Sequence, residues 1–338
     1  MAETVLVTGG SGFLAGHAIA RLLDDGYRVR TTLRSLSRES EVRATLKVSD
    51  DAPLEFVTAD LTEDDGWPAA LIGCDYVMHM ASPFPQDRPD DENELIAPAV
   101  EGTRRVLRAA HEAGVRRVVM TSSFAAMEYA PKASGAQYVE TDWTDPDGRA
   151  PYVKSKTLAE RAAWDFVAAH PDGPELSVIN PVGIIGPVLS NDYASSISII
   201  KALLDGSPPV LPKLNFPLVD VRDVVDLHMR ALTHPDAAGQ RFLAAAGTPL
   251  PMAQMAAILR RRFGDAAARV PTRQVPDWVL RAAAMVLPPL REITVNLGPP
   301  KIVSTVKAAQ LLGWQPRPAE DTVVATGESL LAMASAGL

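Results

Sequence analysis

The sequence predicts an α/β protein with a doubly wound parallel sheet and a smaller, mixed C-terminal lobe. Short apolar runs without alternating polar residues recur along the first half of the chain, as expected for strands covered on both faces. Runs with helical spacing separate them, so strands alternate with helices. After residue 181 this alternation stops and a proline-rich stretch follows, which predicts the second lobe.

The first-half strands are predicted at residues 4–8, 28–33, 53–60, 76–80, 117–121 and 176–180. The first helix is predicted to begin near Phe13 and stop at Gly26. Pro98 is expected to kink or start the helix over residues 95–110. The second half has predicted helices at 191–204, 252–263, 278–287 and 321–334, a strand-to-helix unit at 219–223, and a strand at 241–245.

Composition excludes several function classes. The chain has 338 residues, 47% of them hydrophobic, and a formal net charge of −8, which argues against nucleic acid as a partner. No apolar run reaches the ~18–20 residues of a membrane span, and no cleavable leader is expected. The six histidines lack paired helical spacing, so no metal site is predicted. Cys74 is the single cysteine, and a reducing, cytoplasmic location is therefore expected.

A glycine-rich turn follows the first strand and opens the first helix. Glycines let bare backbone approach a pyrophosphate at a helix N-terminus, where unpaired N–H groups favour anions. Two spacings fit, and both end on Ala15 in place of the usual third glycine. We predict a dinucleotide-binding domain at residues 1–181, with a returning piece near 218–246, and a substrate-binding lobe at 182–338. The predicted cofactor contacts in this turn are Gly9, Ser11, Gly12, Phe13 and Leu14.

The end of the second predicted strand indicates which dinucleotide is bound. An acidic residue about 20 residues past the glycines would pair with the ribose hydroxyls of NAD. Here the strand ends in Arg34, and Ser35 and Arg38 follow. A guanidinium suits a 2′-phosphate through charge-assisted hydrogen bonds, so NADP(H) is favoured over NAD(H). The alternative interpretation is a solvated basic loop.

Tyr152 and Lys156 lie four residues apart in a helix that begins at Pro151, so their side chains share one face. A neighbouring ammonium is expected to lower the pKa of the phenol and make it a usable acid near neutral pH. The alternative is an ordinary surface pair. The rest of the sequence favours a catalytic role for this pair, because several candidate site residues fall at the carboxyl ends of strands, where parallel sheets bind ligands. Residues at those ends include Gly9, Arg34, Asp60, Ala81 and Ser123.

These features together resemble an extended short-chain dehydrogenase/reductase. Within that family, the chain is most similar to the branch of dihydroflavonol reductase, cinnamoyl-CoA reductase and yeast methylglyoxal reductase. The resemblance extends almost from end to end of the chain. It rests on residues 7–14, Arg34, 59–61, 79–83, 101–103, 117–123, Tyr152 with Lys156, 179–182, 219–223 and 312–314.

The resemblance implies a Rossmann-type fold and roles for individual residues. Tyr152 would give a proton to a substrate carbonyl oxygen, Lys156 would lower its pKa and hold the nicotinamide ribose, and Ser123 would hydrogen-bond the same oxygen. Ser122 is the less favoured serine. The further cofactor contacts implied are Asp60 and Leu61 beside the adenine, Ala81 and Ser82 along the ribose and phosphates, Thr121, and Pro181 and Val182 at the nicotinamide.

The leading hypothesis is an NADPH-dependent reductase of a small-molecule aldehyde or ketone, active as a monomer or homodimer. Three alternatives remain open: an NAD-dependent sugar-nucleotide epimerase or dehydratase, a hydroxysteroid-type dehydrogenase, and a non-catalytic dinucleotide sensor. Apolar residues that could line a substrate pocket, or equally belong to the core, are Phe84, Phe124, Tyr193 and Trp278.

Overall fold

The computed structural model describes residues 2–83, 91–133, 135–190, 193–207, 209–287, 294 and 297–335. The strands are β1 Thr4–Val7, β2 Arg28–Leu33, β3 Leu54–Thr58, β4 Tyr76–His79, β5 Arg117–Thr121, β6 Glu175–Pro181, β7 Gly183–Ile185, β8 Asn215–Phe216, β9 Leu218–Asp220, β10 Gln240–Ala244 and β11 Leu250–Pro251. The helices are α1 Phe13–Asp24, α2 Glu39–Leu46, α3 Trp67–Leu71, α4 Asn93–Glu112, α5 Pro151–Ala169, α6 Ile197–Asp205, α7 Val221–Thr233, α8 Met252–Phe263, α9 Asp277–Ala284, α10 Val306–Leu312 and α11 Ala319–Ser335.

Seven parallel strands form the central sheet, in the order β10-β6-β5-β4-β1-β2-β3. The chain starts in the middle, runs to one edge through β2 and β3, and then fills the other side from β4 onward. The strand order therefore reverses between β1 and β4, where doubly wound sheets bind ligands at their carboxyl ends. The predicted fold class is confirmed.

Helices cover both faces of this sheet. The apolar sides of α1 and α7 pack on one face, around Ile19, Leu22 and Leu227. Helices α3, α4 and α5 pack on the other face, around Trp67, Leu107 and other buried residues. This burial on both faces explains why the strands are continuous apolar runs.

The C-terminal lobe has its own core, formed by α6, α8, α11 and the short strands. Strands β7 and β9 pair in parallel, and β8 and β11 pair in antiparallel fashion. Strand β10 instead joins the main sheet beside β6, with Arg241 opposite Val178. Residues after 218 thus return to the main sheet, because β10 joins it and α7 packs against it. The assignment of dinucleotide binding to residues 1–181 and of substrate binding to residues 182–338 stays a prediction. No helix in the described part of the chain has the length and hydropathy to cross a bilayer.

Several elements differ from the sequence-based expectations. Helix α4 begins at Asn93 and continues through Pro98, so the proline does not start it. Helix α6 begins at Ile197, later than predicted, and residues 191 and 192 lie outside the described residues. The sequence pattern did not predict α2, α3, α10 or the short strands β7, β8 and β11, since elements of two to eight residues carry too little periodicity.

Gly102 lies on the side of α4 that faces Leu61, one of the predicted adenine contacts. A Cβ atom at Gly102 would lie 2.7 Å from Leu61 Cβ and 2.8 Å from its Cδ2. We expect Gly102→Ala to destabilise the protein by about 1–3 kcal/mol through overpacking. Helix propensity alone predicts a gain of roughly 1 kcal/mol. The two effects therefore predict opposite changes in the free energy of unfolding, which denaturant unfolding measures. A variant that is more stable than the wild type would contradict the close packing.

Candidate active site

The glycine turn after β1 is built around close backbone contacts. Gly9 has a φ of +76°, its N–H donates to Thr32 Oγ1 at 2.9 Å, and the Gly10 N–H donates to Thr32 O at 3.0 Å. A Cβ at Gly10 would lie 2.2 Å from Thr31 Oγ1, and one at Gly9 would lie 3.1 Å from Ala81 Cα. The turn therefore has no room for side chains at these two positions.

Helix α1 presents an open N-terminus to this turn. Its N-cap, Gly12, makes no side-chain capping bond, and its first turn carries no acidic residue. The backbone N–H groups and the helix dipole are thus available to an anion. Ala15, at the third position of the motif, is buried against the sheet, where a small side chain fits. These residues fit the pyrophosphate of a dinucleotide.

The basic residues after β2 lie beside an acidic turn after β3. Arg34 is exposed at the end of β2, and Arg38 donates two hydrogen bonds of 2.9 Å to Glu41. Asp60 accepts from both the N–H and the hydroxyl of Thr62, at 2.8 Å each. The Thr62 N–H is the largest cause that lowers the pKa of Asp60, and the charge of Arg34 adds to it. Asp60 is therefore an ionised carboxylate, and the positive charge of Arg34 is close enough to stabilise it.

Thr8, the residue before the glycines, joins β1 to the end of β4. Its Oγ1 accepts from Met80 N at 3.0 Å and from Ala81 N at 2.9 Å, and lies 3.0 Å from His79 Nδ1. Because the oxygen already accepts twice, its own hydrogen is left for Nδ1, and the imidazole carries its proton on Nε2. These bonds hold Ala81 against the glycine turn, and the half-buried Ser82 follows it.

The three predicted catalytic residues come together at the carboxyl edge of the sheet. Tyr152 and Lys156 lie on one face of α5, with Lys156 Nζ 6.0 Å from the centre of the Tyr152 ring. Ser123 follows β5, and its side chain hydrogen-bonds Tyr152. The Ser123 Oγ also accepts from Ala125 N at 3.1 Å, which fixes its rotamer. A serine hydroxyl, a phenol and an ammonium thus surround one spot.

Burial dominates the protonation of this group. It raises the pKa of Tyr152, with the Ser123 hydrogen bond acting against it and the charge of Glu128 adding to it. It also lowers the pKa of Lys156 to about 8, against the opposing charge of Glu160. The pKa of Tyr152 is therefore shifted upward, opposite to the expected lowering, because desolvation of the phenolate is the largest cause of the shift. Tyr152 is a protonated phenol at neutral pH.

His79 is kept neutral beside these groups. Burial first, and the charge of Lys156 second, lower the pKa of His79 to about 3. It therefore adds no positive charge next to Lys156, and serves as a hydrogen-bonding link between Thr8 and Thr103, whose Oγ1 lies 3.5 Å from Nε2. With 3% of its surface exposed, His79 is part of the core.

The sequence profile of the NAD-dependent epimerase/dehydratase family matches residues 5–245, which include all of β1 but its first residue, the glycine turn, Ser123, Tyr152 and Lys156. The chain belongs to this family. Among curated relatives, cinnamoyl-CoA reductase CAD2 of Medicago truncatula is 36% identical over 251 residues, 72% of this chain and 76% of the relative. Cinnamoyl-CoA reductase 1 of Petunia hybrida is 33% identical over 325 residues, 94% of this chain and 95% of the relative.

The structural comparison agrees with the family. The structure of Gre2 from Candida albicans in complex with NADPH superposes with a TM-score of 0.81 and 27% identity, and covers 98% of this chain and 99% of its own. The resemblance to the extended dehydrogenase/reductases, and to their cinnamoyl-CoA and methylglyoxal reductase branch, is confirmed.

In this family member the two serines after β5 have different surroundings. Ser122 Oγ donates to the buried carboxylate of Glu160 at 2.5 Å, so it is committed to the core, whereas Ser123 contacts Tyr152. Thr121, predicted to contact the cofactor, has its Oγ1 2.8 Å from Nε2 of His228 on α7. Since His228 Nδ1 donates to a backbone carbonyl, Nε2 accepts from the threonine. The Thr121 hydroxyl is thus engaged with α7.

The remaining predicted contacts are placed as follows. Pro181 ends β6, and Val182 is buried with its N–H bonded to Ala244 O at 3.1 Å. Phe124 is only 3% exposed and packs edge-on against Tyr138, so it is part of the core. Tyr193 is half-buried against the core of the lobe. Phe84 lies outside the described residues, and Trp278 is 72% exposed on α9.

Sequence reasoning missed two acidic residues at the site. Glu128 lies five residues after Ser123 and is held by Lys301, with Nζ to Oε1 at 2.8 Å. No local pattern marks this pair, which is 173 residues apart in sequence. Glu160 lies four residues after Lys156 on α5, and that spacing was available as a signal. The described ranges contain no cluster of three His, Cys, Asp or Glu side chains that could hold a metal ion.

Proposed function

We propose that this protein is an NADPH-dependent carbonyl reductase that converts an aldehyde or ketone to an alcohol. The observation that carries the proposal is the convergence of Ser123, Tyr152 and Lys156 at the carboxyl edge of the sheet. The relatives support it, because those at 32–36% identity are named as cinnamoyl-CoA reductases, an anthocyanidin reductase and a ketoreductase.

The cofactor would be held along the carboxyl ends of the strands. The glycine turn and the N-terminus of α1 fit its pyrophosphate, Arg34 fits the 2′-phosphate, and Asp60 with Leu61 borders the adenine side. The NADPH complex of the Candida albicans relative supports this choice. When bound, NADPH supplies the hydride for the carbonyl carbon.

The chain supplies the proton and the electrostatics. Tyr152 donates its phenol proton to the carbonyl oxygen as negative charge develops there, so that carbon gains hydride and oxygen gains the proton. The Ser123 hydroxyl hydrogen-bonds the same oxygen. The Lys156 ammonium stabilises the phenolate that remains after the transfer. Its pKa of about 8 keeps most of it charged at neutral pH.

Arg34→Ala tests the 2′-phosphate assignment. Loss of a charge-assisted hydrogen bond costs about 1.5–3 kcal/mol, so we expect the KM for NADPH to rise about 10- to 100-fold. The KM for NADH should stay nearly constant, since NADH lacks the 2′-phosphate. Arg28→Ala is the matched control, because Arg28 is also exposed but lies at the opposite end of β2. An equal effect on both cofactors would reject the assignment.

The activity itself is tested by following loss of reduced-nicotinamide absorbance with a panel of aldehydes and ketones, with NADPH and NADH in parallel. We expect turnover with NADPH preferred. Binding of NADPH without oxidation by any carbonyl compound would reject the reductase. Interconversion of sugar nucleotides without net NADPH oxidation would instead support the epimerase alternative.

A further inference from the structure

Glu160 is a completely buried carboxylate at the centre of a hydrogen-bond network, with 0% of its surface exposed. Its Oε2 accepts from Ser122 Oγ at 2.5 Å and from Asn180 Nδ2 at 2.7 Å. Its Oε1 accepts from Arg241 Nε at 2.5 Å and from Trp164 Nε1 at 3.3 Å. Four donors thus satisfy both oxygens of one buried carboxylate.

Two of these donors also control the position of Ser123. Ser122 is its neighbour in the chain, and the Ser122 N–H donates to Ile179 O at 2.8 Å. Asn180 Nδ2 donates to Ser123 O at 3.2 Å as well as to Glu160. Both the backbone carbonyl of Ser123 and the side chain before it are thus tied, directly or through Asn180, to Glu160. The network fixes the serine hydroxyl relative to α5.

The third donor extends the network to the edge of the sheet. Arg241 lies on β10, and its Nη1 donates to Glu140 O at 2.8 Å and to Asp142 O at 2.9 Å. Its guanidinium carbon lies 3.7 Å from the centre of the Trp143 ring. Through one buried ion pair, α5 is therefore joined to β10 and to the loop that precedes α5.

This arrangement is costly as a purely structural device. Burying two charges carries a desolvation penalty that their attraction often only balances, and apolar residues of similar volume usually serve stability as well. This ion pair lies one helical turn from Lys156, and its carboxylate accepts a hydrogen bond from Ser122, the residue before Ser123. Stability alone does not require that position. The location indicates a role in the reaction.

We propose that Glu160 is a positioning residue for the reduction: through Ser122 and Asn180 it sets Ser123 against Tyr152, and through Arg241 it anchors α5 on β10. This role rests on the proposed function. The negative charge of Glu160 also acts on Lys156 and opposes the effect of burial on the ammonium.

The charged and titratable groups around Lys156 define the expected pH effect. On α5 these are Tyr152 and Glu160, and on β4 it is His79, which is neutral. Arg241 compensates Glu160. If Glu160 loses its charge, the pKa of Lys156 falls further below its ordinary value. The ammonium then loses its proton at lower pH, and the alkaline limb of kcat moves in that direction.

The test compares Glu160→Gln with Glu175→Gln in the full chain. Glu175 pairs with the buried Arg117 at 2.6 Å, at the amino ends of β5 and β6, far from the catalytic edge. We expect Glu160→Gln to lower kcat at least about tenfold through misplacement of reacting groups, with the dissociation constant of NADPH nearly unchanged. The alkaline limb should shift to lower pH. Glu175→Gln should change only the melting temperature.

Ser122→Ala keeps the test valid if Glu160→Gln does not fold, because it removes one link and leaves the Glu160–Arg241 pair intact. We expect it to lower kcat several-fold with NADPH binding preserved. Wild-type kcat and pH profile in either folded variant would overturn the positioning role. A wild-type protein that oxidises no NADPH with any carbonyl compound would instead reject the proposed function.

Discussion

Tyr152→Phe is expected to lower kcat by about 10²–10⁴-fold, the usual contribution of a positioned general acid. The phenol is the only protein group in the proposed mechanism that gives a proton to the substrate oxygen. Burial raises the pKa of Tyr152, so the proton is in place throughout the neutral range. The rate is measured with saturating NADPH and a carbonyl substrate chosen from the panel, with NADPH binding measured separately.

Tyr76→Phe is the matched control for this variant. Tyr76 is also buried, but it begins β4 at the amino edge of the sheet, and the Arg116 guanidinium carbon lies 4.3 Å from its ring centre. Removing this hydroxyl is expected to leave kcat and the KM for NADPH unchanged. Full turnover by Tyr152→Phe, with the control equally active, would remove the catalytic assignment of Tyr152.

The parts of the site that the sequence predicts depend on short-range spacing. Tyr152 and Lys156 are one helical turn apart, and Gly9 and Gly10 lie just after β1, so local geometry alone determines where these groups lie relative to each other. The parallel sheet then brings Ser123 to the same edge, because consecutive strands end on the same side. These are consequences of secondary structure, which the pattern of apolar residues determines well.

The parts that it does not predict depend on tertiary structure. Glu160 and Arg241 are 81 residues apart, and only the pairing of β10 with β6 brings them together. The direction of the Tyr152 pKa shift is another case. The sequence shows the neighbouring ammonium but not the depth of burial, and burial decides the sign.

Lys156→Met is expected to lower kcat about 10²–10³-fold, as for removal of one preorganised electrostatic group. Burial lowers the pKa of Lys156 to about 8, so the ammonium is charged below that pH and neutral above it. Wild-type kcat should therefore fall as pH rises through about 8. The methionine variant, which has no ammonium to lose, should lack this limb.

The substitution Lys156→Met should raise the stability of the protein although it lowers kcat. Because the folded-state pKa of Lys156 lies below its ordinary value of 10.5, the folded protein binds this proton less tightly than the unfolded chain does. The ammonium thus disfavours folding below pH 8, and this penalty fades as pH rises from about 8 toward 10.5. Lys156→Met should raise the melting temperature at pH 7, which excludes misfolding as the cause of lost activity.

Lys156→Arg provides the complementary test, because a guanidinium stays protonated across the whole pH range of the assay. We expect partial activity, since the longer, planar group changes the geometry, but with the alkaline limb displaced well above pH 8. The Tyr152 phenol is then the next group to titrate, and its raised pKa places that loss at higher pH. A limb that remains near pH 8 in both variants would assign it to a group other than Lys156.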